Sequence, residues 1–301
     1  MSQPLSRRSF LEHAGTAVAG LALGASTIQS SAQSGSRKIQ KGIMLGTVGI
    51  KGSVLQRFEA VKAAGFAGVE PMSHMDRDEV RQALDATGLV CASVCGTHHW
   101  SKPLSSPSEN VRKDGLEALL HSLRDAKAWG AESVLLVPGI CDKAIPYDVA
   151  IERSFAEINK AVSLAEELKV TIAIENVWNN LFLSPVEAAQ FVDRFKSQYV
   201  GWHFDIGNII HYGWPEQWIR VLGKRIHRLH IKEYSRARSD KEGKWKGFDV
   251  EFLKGDNNWP AVMKALDDIG YRGWGIAEQG GGGSPEGLKK LSTEMDQIFA
   301  S

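Results

Sequence analysis

Cysteine is scarce in this chain. Only Cys91, Cys95 and Cys141 occur in 301 residues, an odd number. Cys91 and Cys95 lie four apart in a strand-like run, roughly 13 Å along an extended backbone, too far for a disulfide. All three read as reduced structural residues, with Cys95 placed to border a site. An excess of either charge is also missing. The 36 lysines and arginines against 35 aspartates and glutamates leave a net charge of +1. That offers no electrostatic reason to expect nucleic acid or an acidic membrane as partner.

A membrane-spanning run is absent too. The apolar stretch at residues 14–25 is short for a span and is broken by Gly20 and Gly24. It follows Ser6-Arg7-Arg8-Ser9-Phe10-Leu11, a twin-arginine pattern, and precedes Ser30-Ser31-Ala32, small residues suited to a signal peptidase. Residues 1–33 are therefore expected to be a twin-arginine export signal, outside the fold. The folded chain would pass through the export machinery to the periplasm. The competing reading, an N-terminal membrane anchor, conflicts with the short run and its glycines.

The glycine fingerprint of a dinucleotide-binding sheet is likewise missing. The turn after the first strand-like segment, Gly46-Thr47-Val48-Gly49-Ile50-Lys51-Gly52, lacks GxGxxG spacing and the acidic strand end about 20 residues later.

What is present is a regular alternation. Hydrophobic residues make up 43% of the chain, enough for one large core. From residue 39, strands are expected over 42–46, 68–71, 90–95, 133–137, 171–177, 201–205, 228–232 and 273–278. Helices are expected over 54–64, 76–87, 108–129, 147–168, 185–196, 215–224, 259–269 and 285–299. The first helix carries apolar residues at 54, 55, 58 and 61, one helical face. Ser184-Pro185 and Ser284-Pro285 set an N-cap before a first-turn proline. Gly65, Gly88, Gly130 and Gly270 stop helices. This pattern predicts a single-domain α/β fold, a (β/α)8 TIM barrel over residues 34–301. An open doubly wound sheet is the alternative. The long stretch 233–258 exceeds a simple connection and is expected to cap the site. Its charges, Arg236, Arg238, Lys241, Lys244 and Lys246, read as a solvated surface. The glycines at 280–283 form a loop near which barrels often bind phosphate, but four glycines alone do not assign that role.

Four of the strand ends carry chemistry. They are Glu175 in TIAIENV, Asp205 in GWHFDIGN, His230 in HRLHIKE and Glu278 in GWGIAEQ. A barrel builds its site at the C-terminal ends of its strands. Strand alternation puts Glu175 on one face with Ala173 and Thr171, and Asp205 with His203. His230 shares a face with Arg228 and Lys232, and Glu278 with Ile276. Separate salt bridges to loop lysines and arginines would explain one such residue. Four at corresponding positions call for a shared partner, because buried carboxylates are expensive alone. A divalent cation supplies one. Three carboxylates and one imidazole favour Mn²⁺ or Mg²⁺, with Co²⁺ and Zn²⁺ as alternatives.

Over residues 40–300 the chain resembles the xylose-isomerase-like barrels described as sugar phosphate isomerases and epimerases. The resemblance rests on IENVWNN, HFDIGN, HRLHIKEY and NNWPAVMKALDDIGYRGWGIAEQ. In members similar to the ketose 3-epimerases, one metal is held by Glu, Asp, His and Glu from the fifth to eighth strands. The resemblance thus implies Glu175, Asp205, His230 and Glu278 as metal ligands, with Mn²⁺ the first choice. It implies Glu175 and Glu278 as the catalytic pair trading protons with a small carbohydrate. The implied reaction is proton abstraction beside a carbonyl through a metal-stabilised enediolate, the proton returning from the opposite face. Barrels of this type often pair, so a homo-oligomer belongs to the same expectation.

The chain also departs from that pattern. Close epimerase relatives carry a histidine three residues after the aspartate, where this chain has Asn208, with His211 next. Asn208 could hydrogen-bond a sugar hydroxyl but cannot act as an acid. The further expected substrate contacts are His211, Lys232, Arg236, His98, His99 and Trp178, with Trp100 as a second apolar wall. Apurinic endonucleases share the barrel but need that histidine and an Asp-x-His pair, which residues 234–240 do not supply. Two rivals remain. The same base and metal could expel the C1 group of a 3-keto-glycoside, and export favours an unphosphorylated substrate. A sugar-binding barrel without turnover would not need the Glu175/Glu278 pair.

Overall fold

A computed structural model describes residues 37–301. The expected export signal lies outside the described residues. The strands are β1 (Ile39–Met44), β2 (Gly68–Glu70), β3 (Val90–Cys91), β4 (Val94–Cys95), β5 (Ser133–Leu136), β6 (Thr171–Glu175), β7 (Val200–Asp205), β8 (Ile226–Ile231) and β9 (Gly273–Ala277). All paired strands are parallel. Their order is β3-β2-β1-β9-β8-β7-β6-β5-β4. The two ends of that order are neighbouring pieces of one segment, so the sheet curls into a nearly closed barrel. A parallel bridge between Met72 and Cys95 spans the seam. The fold is the expected α/β TIM barrel.

The expected third strand, 90–95, is split in two, and its surroundings explain why. β3 pairs only with β2, and β4 only with β5. Between them the Ala92 N–H donates to Val69 O at 2.9 Å. Its carbonyl instead accepts from Arg228 Nε at 2.7 Å. An arginine on β8 thus reaches through the barrel and takes an acceptor from the ladder.

The helices are α1 (Val54–Ala63), α2 (Arg77–Thr87), α3 (Glu109–Trp129), α4 (Tyr147–Leu168), α5 (Pro185–Asp193), α6 (Gly207–Ile210), α7 (Pro215–Leu222), α8 (Arg236–Glu242), α9 (Trp259–Asp268) and α10 (Pro285–Ala300). Every expected helix is present. The Ser53 hydroxyl and Gln56 form a reciprocal cap on α1. Ser184 and Ser284 cap α5 and α10 ahead of their prolines. Gly88 and Gly130 end α2 and α3 in the left-handed region, at φ of 63° and 76°. Among the described residues no helix is long and apolar enough to cross a membrane.

Two apolar layers hold the barrel. The larger lies between strands and helices and includes Phe58, Leu123, Ile158, Trp202 and Met263. A small inner cluster of Ala92, Trp274 and Ile276, with Met44 against it, fills the barrel axis. Gly68 makes room for Trp274. A Cβ there would lie 2.5 Å from the indole and 2.9 Å from Val90 O. The three cysteines are free thiols.

The stretch 233–258, too long for a simple connection, is partly regular. It holds α8 and a 3-10 turn, Lys244–Phe248. The buried Glu233 carboxylate ties it down, accepting from Leu253 N at 2.8 Å, Trp259 Nε1 at 2.9 Å and Asn257 N at 3.2 Å. The turn itself is held by Ser235 N donating to Gly247 O and by the Tyr234 hydroxyl donating to Lys244 O, both at 2.8 Å.

Candidate active site

β6, β7 and β8 pair in parallel, with a one-residue register shift between β7 and β8 at Trp202–His203, and this sets Glu175 beside His203 and Asp205 beside His230. Glu278 follows the last residue of β9. These strand ends bring four donors together. His230 Nδ1 lies 2.9 Å from Glu175 Oε1, 3.0 Å from Glu278 Oε2 and 4.0 Å from Asp205 Oδ2. The donor atoms of all four lie within 4.8 Å of one another.

The other ring nitrogen, Nε2, is 2.9 Å from Glu70 Oε2. Glu70 ends β2 and is fully buried. With Nε2–H donating to that carboxylate, Nδ1 is the ring nitrogen left to face the three others. A carboxylate behind a histidine is the usual support of a metal-bound imidazole. Crowded carboxylates with one imidazole suit a hard divalent cation. The residues present therefore fit a metal.

The charges at the mouth are strongly interdependent. Burial raises the Glu175 carboxyl and pushes that of Asp205 well up. Burial also opposes charge on Glu278, but Lys232 and His230 outweigh it and hold that carboxyl well below the usual range. Burial acts against the His230 cation, yet Glu70 and Glu278 lead a set of acids that raises it well above its ordinary value. Lys232 Nζ donates to Glu278 Oε2 at 2.9 Å and sits 3.4 Å from Asp205 Oδ2. Despite burial, Asp205, Glu278 and Glu175 raise it too.

Asn176 organises the layer beneath. Its Oδ1 accepts from Asp205 N and Trp202 Nε1, both at 3.0 Å. Its amide donates to Asp205 O at 2.7 Å. Asn208, on α6, donates its backbone N–H to Asp205 Oδ1 at 2.8 Å and its amide to Asn176 O at 3.0 Å. Asn208 thereby fixes the Asp205 carboxylate.

A cavity of about 350 Å³ opens over Glu175, His230 and Glu278, while Asp205 is fully buried and outside its lining. Of the residues expected from the sequence, Glu175, His230, Glu278, Asn208, Lys232, His99, Trp178, Trp100 and Cys95 line it. Three expected substrate contacts do not. The Arg236 guanidinium donates to Ile210 O and Gly213 O, each at 2.7 Å, and so braces the end of α6. His211 Nδ1 is bonded to the Tyr234 hydroxyl at 3.0 Å. His98 packs edge-on against His74, ring centres 4.5 Å apart. Each finds its partner in a neighbouring loop rather than in the mouth.

Sequence reading also missed several residues. Glu70 stands at a strand end as the four donors do, so its signal was present. His203 was placed only as the facial neighbour of Asp205. It is buried, its ring centre 4.2 Å from that of His230, and burial keeps it neutral by holding its pKa well below normal. Asn176, Trp245 and Phe248 carried no signal at sequence level.

A parallel barrel with clustered acids and an imidazole at its C-terminal mouth defines a TIM-barrel protein with a candidate metal site. Residues 58–295 match the xylose isomerase-like TIM barrel model, and the chain belongs to that family. L-ribulose-5-phosphate 3-epimerase UlaE of Escherichia coli O1:K1 is 25% identical over 242 residues, covering 73% of this chain and 79% of that protein. Among solved structures, a D-tagatose 3-epimerase-like protein has a TM-score of 0.73 at 19% identity, covering 87% of this chain and 97% of its own. The 3-keto-D-glucoside 4-epimerase of E. coli has a TM-score of 0.72 at 15% identity, covering 87% and 99%. These structures share the fold.

Proposed function

We propose that the protein is a divalent-metal-dependent sugar isomerase or epimerase acting by proton abstraction beside a carbonyl. The observation that carries this reading is the position of His230 Nδ1, faced by Glu175, Glu278 and Asp205 at the mouth of one cavity. The similarity to a sugar-phosphate 3-epimerase supports it. Glu175, Asp205, His230 and Glu278 would hold the cation, for which Mn²⁺ is the first candidate. Its binding there would supply Lewis-acid stabilisation of the charge on a substrate enediolate.

The chain's own residues supply the rest. Glu175 and Glu278 leave strands three places apart in the ring, so they reach a bound sugar from different sides. One takes the proton from the carbon beside the carbonyl and the other returns it, which inverts that carbon. Lys232 favours the ionised form of Glu278 and offers a donor to a substrate oxygen. Neutral His99 accepts from Val137 N at 3.3 Å through Nδ1, leaving Nε2–H to donate into the cavity. Trp178 and Trp100 supply flat apolar surface to the sugar. The twin-arginine pattern at Arg7-Arg8 supports a periplasmic location.

The test is NMR in D₂O with Mg²⁺-loaded protein and a panel of free ketoses, keto-glycosides and sugar phosphates. Deuterium should enter a carbon next to a carbonyl, and Glu175→Gln or Glu278→Gln should slow its entry about 10²- to 10⁴-fold. Bound metal with no exchange in any substrate would overturn the proposal.

A further inference from the structure

Four flat aromatic side chains, Trp100, Trp178, Trp245 and Phe248, line the cavity beside the polar groups at its base. Trp178, Trp245 and Phe248 pack as one surface, with ring centres 4.7 Å apart for Trp178–Trp245 and 4.9 Å for Trp178–Phe248. Trp178 follows β6, and the other two belong to the 3-10 turn after β8. Trp100 follows β4. With β3 and β4 taken as one strand, β4 and β8 are four places apart either way round the ring. Trp100 and the Trp245–Phe248 turn therefore rise from opposite sides of the mouth. Trp100 is 49% exposed and Trp245 61%. One exposed tryptophan is ordinary, whereas two facing the same cavity mark a binding surface.

The same cavity is poor in groups that hold phosphate. Lys232 is the only lysine or arginine among the described residues lining it, and it is engaged by Glu278 and Asp205. Arg236 is turned to backbone carbonyls. The glycine loop at 280–283 does not line the cavity, and Gly282 O accepts from Gly49 N. Phosphate recognition wants convergent arginines or a set of backbone N–H groups. A phosphate at the four donors would meet carboxylates, and at the aromatic wall it would meet indoles already covered by the Lys244 ammonium, 5.4 Å from the Trp178 ring centre and 5.3 Å from that of Trp245.

We propose that this site takes a neutral carbohydrate conjugate rather than a sugar phosphate. One sugar ring sits at the four donors. A second ring, a planar aglycone or another sugar, is held between Trp100 and the Trp178–Trp245–Phe248 surface. The placement of the first ring rests on the proposed function. The substrate then differs from the L-ribulose 5-phosphate in the curated relative's name.

Isothermal titration calorimetry on the Mn²⁺-loaded full chain separates these chemistries, with phenyl β-D-glucopyranoside, D-glucose and D-glucose 6-phosphate as probes. Phenyl glucoside should bind about tenfold more tightly than glucose, the gain expected of aromatic stacking. Glucose 6-phosphate should bind no better than glucose. Trp100→Ala and Trp245→Ala, both at exposed positions that leave the core intact, should each remove most of the phenyl glucoside advantage. Tighter binding of the phosphate, no detectable binding of phenyl glucoside, or wild-type affinity in both variants would overturn the inference. Deuterium exchange distinguishes the two readings. Stacking-dependent binding without exchange in any keto-sugar sinks the enolisation chemistry and leaves this inference standing. Faster exchange in D-fructose 6-phosphate than in D-fructose, with weak phenyl glucoside binding, does the reverse.

Discussion

Glu70 and His230 meet at 2.9 Å, carboxylate Oε2 to ring Nε2, on strands separated by β1 and β9 in the barrel. Both side chains are essentially without solvent exposure. The contact orients the imidazole, so that its opposite nitrogen faces Glu175 and Glu278. Glu70→Ala leaves that ring nitrogen unpaired and the ring free to turn. Mn²⁺ affinity should then fall about 10- to 100-fold, the usual effect of losing such a support. Competition with a chelating dye measures it. Unchanged affinity would mean that packing alone holds the ring.

The two glutamates should fail together. Glu175→Gln and Glu278→Gln each keep the shape and remove the proton acceptor. Each should lower the exchange rate by about 10²- to 10⁴-fold at saturating metal, the range for a lost general acid or base. Deuterium incorporation read by NMR checks it, with metal occupancy measured on the same samples. A variant that keeps its rate would exclude that glutamate from proton transfer.

His227 gives a pH dependence of stability with a definite sign. Burial lowers its pKa to about 4, with Arg228 adding to the effect. In the unfolded chain it titrates near 6.5. As pH falls between those values the unfolded state binds the proton and the folded state does not. Stability present above about pH 6.5 is therefore lost down to about pH 4, at up to about 1.4 kcal/mol per unit. Urea melts of wild type and His227→Gln across that window isolate this histidine. Equal slopes in the two proteins would refute the assignment.

Gly68→Ala should destabilise the barrel. The added methyl meets the Trp274 indole and the Val90 carbonyl, and a backbone atom cannot swing aside. Overpacking of this kind costs about 1–3 kcal/mol. A lowered melting temperature would show it. An unchanged one would mean that Trp274 can shift without loss.

Much of this was legible before the fold was known, because it depends on local pattern. The caps at Ser184-Pro185 and Ser284-Pro285, the glycine stops and the period of apolar residues all act within a few residues of chain. The four strand-end donors follow from the same logic, since parallel strands in a barrel present their C-terminal ends to one mouth. Glu70 was equally legible, as it too ends a strand, but it stood outside the motif shared with the epimerase-like barrels. The break at Ala92 was not, because it depends on an arginine 136 residues away.

The barrel and the identity of its converging acids are thus written in sequence, through periodicity, caps and strand ends. Tertiary structure decided which polar residues face the cavity. Lys232 and His99 do, whereas Arg236, His211 and His98 are claimed by carbonyls, a hydroxyl and another ring from separate loops. The physical reason is range. Secondary structure is governed by neighbours within a turn, but a side chain's hydrogen-bond partner is whichever group the folded chain brings within about 3 Å.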